Sequence, residues 1–176
     1  IGYLLLGASF MNSTGLTATL VHMFNHGITK ALLFMGAGIL VLKVGKVSYD
    51  NIAGLGKSMP LTAAAMVIGG LSLIGVPGTA GFISKWLLIQ AALENGWWQI
   101  ALLIVLSSLL SVVYVWRLIE ILYIAPNNKI GKNTEASVSM LIPMWILAIA
   151  CLFFGIFTDL TVSTAQTAAE NLLNLT

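Results

Sequence analysis

Long apolar runs separated by short polar connectors dominate the chain. After an apolar stretch over 1–11, Asn-Ser-Thr-Gly at 12–15 reads as a turn, with Ser13 or Thr14 placed to cap the next helix. Residues 16–42 are apolar apart from one polar stripe and are long enough to cross about 30 Å of hydrocarbon. The connector 43–59 is polar, and Pro60 suits the first turn of the helix that follows. That helix covers 60–94 and is interrupted over 75–81, Gly-Val-Pro-Gly-Thr-Ala-Gly. It then restarts as an apolar helix with Lys85 in its first turn. Asn95-Gly96 turns the chain, Trp97 and Trp98 read as an interfacial aromatic anchor, and a long span covers 99–125. A second polar connector, 126–137, leads to a span over 138–158.

The predicted fold class is therefore all-α and membrane-embedded: a bundle of transmembrane helices, one of them discontinuous. The membrane domain is expected over 1–159 and a tail over 160–176. Apolar positions at Leu160, Val162, Ala165, Ala168, Leu172 and Leu175 give that tail the pattern of a short interfacial helix or of a frayed end. The opening residues 1–11 look like the latter half of a helix, so the chain is expected to be the C-terminal part of a longer protein.

Composition agrees with this pattern. Of the 176 residues 59% are hydrophobic and only 8% charged, against about 25% charged in a soluble domain. A net charge of +2 with no basic cluster gives no reason to expect a nucleic acid partner. The single cysteine, Cys151, lies in an apolar helix, where it reads as small core packing.

Loop charges set the topology. Lys43, Lys46 and Lys57 fall in one connector and Lys129 and Lys132 in the other, whereas the turns at 12–15 and 95–98 and the tail beyond 159 hold no Lys or Arg. If 60–94 crosses once, all five lysines share a face, which the positive-inside rule makes cytoplasmic. A double crossing would split them and leave halves of about 15 residues, short of the ~20 a span needs. One broken crossing is the better reading, with Asp159 and Glu170 on the outer side and Glu94 solvated at that boundary.

The ionisable groups left inside the spans are His22, His26, Lys30, Lys85, Arg117 and Glu120. His22, His26 and Lys30 recur every fourth residue and so form one stripe down a helical face, bordered by Asn25 and Thr29. Two imidazoles and an amine in line can exchange protons; packing polarity satisfied by neighbouring helices is the alternative. A mid-span lysine is hard to justify on packing alone, because a charge at that depth costs roughly 2.5–3.5 kcal/mol on the insertion scale. Gly75, Pro77, Gly78 and Gly81 let the backbone leave helical geometry, and unpaired backbone is tolerated in a bilayer only where protein or water surrounds it. Lys85, at the start of the restarted half-helix, meets a dipole that disfavours a cation, so it reads either as a proton-loading amine or as a salt bridge holding the break together. Arg117 and Glu120, three residues apart, can form an ion pair, either snorkelling or serving as a proton exit.

No metal or other cofactor is expected. His22 and His26 lack the glutamate of the zinc-protease motif, two histidines on one helical face cannot ligate opposite sides of a haem, and no Gly-Lys-Ser/Thr follows the glycines.

HGITKALLFMGAG at 26–38 and GVPGTAGFISKWLL at 75–88 resemble paired signatures of the antiporter-like membrane subunits shared by respiratory complex I and the multisubunit Mrp cation/proton antiporters. The resemblance covers nearly all of 1–125. It implies an inverted-repeat transporter fold in which each repeat has a broken helix bearing a key lysine beside a hydrophilic axis. It places Lys85 at the terminal position of the second half-channel and Lys30 and His26 on the axis helix. SKWLLIQAALENGWW and SSLLSVVYVWRLIEILY look closest to the D-type Mrp subunit.

The favoured expectation is a proton-translocating subunit of a monovalent cation (sodium)/proton antiporter, set among other membrane subunits in a bacterial inner membrane. The alternative is a proton-pumping subunit of NADH:quinone oxidoreductase, with no redox site of its own, and a reading of another class is a non-conducting membrane scaffold.

Overall fold

The computed structural model describes residues 1–46, 48–125 and 135–174. Lys129 and Lys132, which carried part of the charge pattern, lie outside the described residues, as does Leu175 of the tail. Among the described residues all regular structure is helical: α1 (Gly2–Ser9), α2 (Ser13–Val44), α3 (Tyr49–Ile52), α4 (Leu55–Ser58), α5 (Pro60–Ile74), α6 (Ala80–Glu94), α7 (Trp98–Tyr123), α8 (Val138–Ile156) and α9 (Asp159–Asn174). Of these, α2, α7 and α8 are long and apolar enough to cross a membrane.

The helix boundaries have local causes. Asn12 is extended and its side chain accepts from the Gly15 amide at 2.7 Å, so it, not Ser13 or Thr14, caps α2. The cap falls one residue earlier than the sequence suggests because Met11, at φ 53°, makes the reversal. Pro60 opens α5, whose start is also held by a carboxylate: Glu135 accepts from the Leu61 amide at 2.8 Å and from the Thr62 hydroxyl at 2.6 Å. An anion at a helix N-terminus complements the dipole. The connector between α2 and α5 is less purely polar than its composition suggests. Its two helical turns bury Ile52, Leu55 and Met59 in one cluster with Ile121 and Leu122 of α7, and the Gly54 amide donates to Ile121 O at 2.8 Å. Lys43, Lys46 and Lys57 remain exposed.

α2 is the central element, packed against α1, α5, α6, α8 and α9. α8 runs antiparallel to it: Met144 reaches Gly36, Cys151 reaches Thr29, and Phe154 stacks edge-on to Phe24. α9 continues beside the N-terminal half of α2, burying Ala165 and Ala169. Two apolar clusters form the core. One includes Leu32, Leu40, Met66, Leu122 and Met144; the other includes Phe10, Ala18, Leu88, Ala92 and Ile104. Along α2 the polar residues 22–30 fall between these clusters, and so, along the chain from α5 to α6, does the helix break.

Candidate functional site

The break is a built structure. α5 ends in a Schellman motif, with the Gly75 amide directed at Ser72 O and the Val76 amide at Leu71 O. Gly75 takes φ +86°, a conformation other residues adopt only under strain. Thr79 is extended, and its hydroxyl donates back to Val76 O at 2.7 Å. α6 then starts against the end of α5: the Gly81 amide donates to Ser72 Oγ at 3.2 Å, and a Cβ at residue 81 would overlap the Ser72 carbonyl.

α2 fastens both sides of this break. The Asn25 amide donates to Ala80 O at 2.7 Å on the α6 side, and Thr29 Oγ1 lies 2.8 Å from Ser72 Oγ on the α5 side. Both α2 residues are fully buried, and Cys151 of α8 approaches the Thr29 hydroxyl at 3.8 Å. Asn25 and Ser72 thus give protein partners to the Ala80 carbonyl and the Gly81 amide at the break, as a low-dielectric surrounding requires.

Lys85 is buried, at 8% exposure, in the second turn of α6 and not in the first as its spacing from the glycines suggested. Its flexible stem carries the amine back across the break, where it donates to Leu73 O at 2.9 Å and Ile74 O at 2.7 Å. These are terminal carbonyls of α5, the negative end of that helix dipole, so the cation meets a favourable end of one half-helix in place of the unfavourable end of the other. Among the described residues no carboxylate lies within ion-pairing distance of Lys85; the amine holds the break through carbonyls.

A cavity of about 230 Å³ adjoins this amine. His22, His26 and Lys30 enter it from α2, Ser72 and Leu73 from α5, Gly81, Ser84 and Lys85 from α6, Tyr3 from α1, and Ser111 and Tyr114 from α7. The space has room for several water molecules. His22 and His26 stack with ring centroids 5.2 Å apart, and Lys30, half-buried one turn on, has its amine 5.9 Å from the Phe34 ring. His22 Nδ1 is 2.9 Å from Ser84 Oγ, and Ser84 Oγ is also 3.3 Å from Gly81 O. A hydroxyl has one proton to give. When Ser84 donates to Gly81 O, Nδ1–H of His22 donates to Ser84; when Ser84 turns its proton to His22, Nδ1 accepts.

The structure thus brings His22, His26, Lys30 and Lys85 to one chamber. It does not bring Arg117 or Glu120 there: the guanidinium donates to Glu120 Oε2 at 2.8 Å on a largely exposed part of α7. Tyr3, Ser72 and Ser84 gave no signal in the sequence, because neutral hydroxyls are common in apolar helices and gain meaning only from what packs on them. Another cavity, about 400 Å³ between α2, α8 and α9, is apolar and is lined by none of these charged groups.

The model of the family described as NADH:quinone oxidoreductase/Mrp antiporter, TM, matches residues 1–111. The chain is 35% identical over 176 residues to NADH-quinone oxidoreductase subunit N of Desulforudis audaxviator, covering 93% of this chain and 35% of that protein. It is 37% identical over 171 residues to F(420)H(2) dehydrogenase subunit L of Methanosarcina mazei, covering 90% of this chain and 25% of that protein. Its fold matches a chain of the Mrp complex from Dietzia sp. DQ12-45-1b with a TM-score of 0.91 at 24% identity, over 99% of this chain and 41% of that one. The chain thus spans only about a quarter to a third of the length of these curated relatives.

Proposed function

The chain belongs to the NADH:quinone oxidoreductase/Mrp antiporter transmembrane family, and from that premise we propose that it forms a proton-translocating part of a membrane subunit. The observation that carries this reading is a buried amine, Lys85, opening on the same polar chamber as Lys30, His26 and His22. Protons pass between the imidazoles, the Lys30 amine and Lys85, with water bridging the gaps that the side chains leave. Gly75, Pro77, Gly78 and Gly81 provide the discontinuity that exposes carbonyls to the amine. The mechanism needs only groups that gain and lose a proton.

The driving force lies outside these residues. In one reading the subunit belongs to a monovalent cation/proton antiporter among other membrane subunits, with which the fold likeness to the Mrp complex is consistent. In the other, proton movement is driven by quinone reduction, which the 35% identity to an NADH-quinone oxidoreductase subunit favours. The lysine-bearing connector 43–59 then faces the cytoplasm of a bacterial inner membrane. In a full-length protein otherwise free of cysteine, a cysteine replacing exposed Lys57 is expected to label from that side only; labelling from the opposite side would reverse the orientation.

Transport by the full-length complex with Lys85→Met tests the proposal. Proton movement driven either by a sodium gradient or by a reduced quinone donor is expected to fall to background while the complex assembles, and the driving force that works in the wild type separates the two readings. Undiminished proton movement in the assembled variant would leave a scaffold.

A further inference from the structure

One side chain of the chamber meets both an imidazole and the Lys85 amine without belonging to the polar stripe of α2. The Tyr3 ring of α1 stands edge-on to His22, with centroids 5.4 Å apart and planes at 84°. The same ring centroid is 5.8 Å from Lys85 Nζ. The phenol donates to Ser107 Oγ of α7 at 2.8 Å, with Ile104 O at 3.4 Å. Tyr3 thus spans the imidazole, the amine and the helix behind them.

Lys85 itself stands at a partition. Besides the polar chamber it lines a second cavity of about 260 Å³ between α6 and α7, walled by Phe82, Trp86, Val105 and Leu109 with Ser108 among them. Its flexible stem can therefore present the amine to a polar or to an apolar space. An aromatic face attracts an ammonium through its quadrupole and has no comparable attraction for a neutral amine. A contact that distinguishes two charge states shifts the balance between two positions by that difference.

Resting on the reading of Lys85 as the proton carrier, we propose that Tyr3 is a positioning residue for proton transfer. Its ring keeps the charged amine on the His22 side of the partition and releases the neutral one, and its bond to Ser107 fixes the ring. In the transfer an N–H bond at Lys85 Nζ breaks and one forms at an imidazole nitrogen or a bridging water; nothing is oxidised or reduced.

The experiment compares proton flux per assembled full-length complex in proteoliposomes for Tyr3→Phe, Tyr3→Leu, Tyr3→Met, Ser107→Ala, Tyr3→Phe/Ser107→Ala and Lys85→Met. Leu and Met fill the space without a π face, and flux is expected to fall at least about tenfold in both. Phe keeps the face and is expected to stay within about threefold of wild type. Ser107→Ala should match it, and the double variant should be no worse than either single one. Leu or Met variants as active as the Phe variant would overturn the proposal, and the Met variant decides if Leu fails to assemble. If Lys85→Met is inactive while those variants are active, only the role of Tyr3 falls. If Lys85→Met transports normally, the underlying reading falls with it.

Discussion

The Lys85 ammonium has backbone carbonyls, Leu73 O and Ile74 O, as its hydrogen-bond partners, and a carbonyl cannot neutralise a charge as a carboxylate would. A cation held this way keeps the freedom to lose its proton, since no counterion is left stranded when it does. The His22–Ser84 pair has a similar two-state character, because one hydroxyl proton serves either Gly81 O or Nδ1. Ser84→Ala removes that choice and leaves a buried imidazole nitrogen without its partner. Proton flux in the assembled complex is expected to fall about a hundredfold, the lower end for a positioned proton-transfer group. Unchanged flux would take Ser84 out of the path. His22, His26, Lys30 and Lys85 were legible in the sequence because helical spacing alone aligns the first three and a lone charge in an apolar run marks the fourth. Tyr3 was not legible, since its value comes from packing across more than eighty residues of chain onto Lys85.

At the scale of elements the interruption between α5 and α6 was legible from its glycines and Pro77, but its internal fastening was not. Ser72 serves three groups: it stands 2.8 Å from Thr29 Oγ1, accepts from the Gly81 amide, and its carbonyl accepts from Gly75. No local rule singles out one serine for that work. The turn count to Lys85 differed for a related reason. The expected interruption ran to Gly81, but the extended Thr79 caps a helix that already starts at Ala80, so Lys85 falls a turn further along and its amine reaches back to α5. Gly81→Ala tests the close approach of the two half-helices. A methyl there overlaps the backbone carbonyl of Ser72, which cannot rotate away as a side chain would. The complex is expected to melt at lower temperature and to lose more proton flux than an alanine at exposed Gly78, though φ +87° there makes some strain unavoidable. Equal behaviour of the two variants would show that the contact is slack.

The whole molecule arranges these elements so that the polar chamber lies between two apolar clusters, one toward the lysine-bearing connector and one toward the turn at Trp97. Each cluster excludes water from its side, and the chamber is left as the polar space between them. The transmembrane bundle was legible from composition and run length, because the bilayer imposes both. Less legible was the C-terminal segment. The apolar pattern of 160–176 does not distinguish a surface helix from one packed on α2, and the contacts of Ala165 and Ala169 decide only once the bundle exists. The burial of Lys85 between α5, α6 and α1 is a property of that whole arrangement, and so is its proposed part in the proton path.

That part is tested most directly by replacing Lys85 with arginine, which keeps a positive charge but does not give up its proton. Proton flux through the assembled full-length complex, reconstituted in proteoliposomes, is expected to drop to the background set by Lys85→Met. Flux near the wild-type rate in the arginine variant would contradict a titrating amine at residue 85.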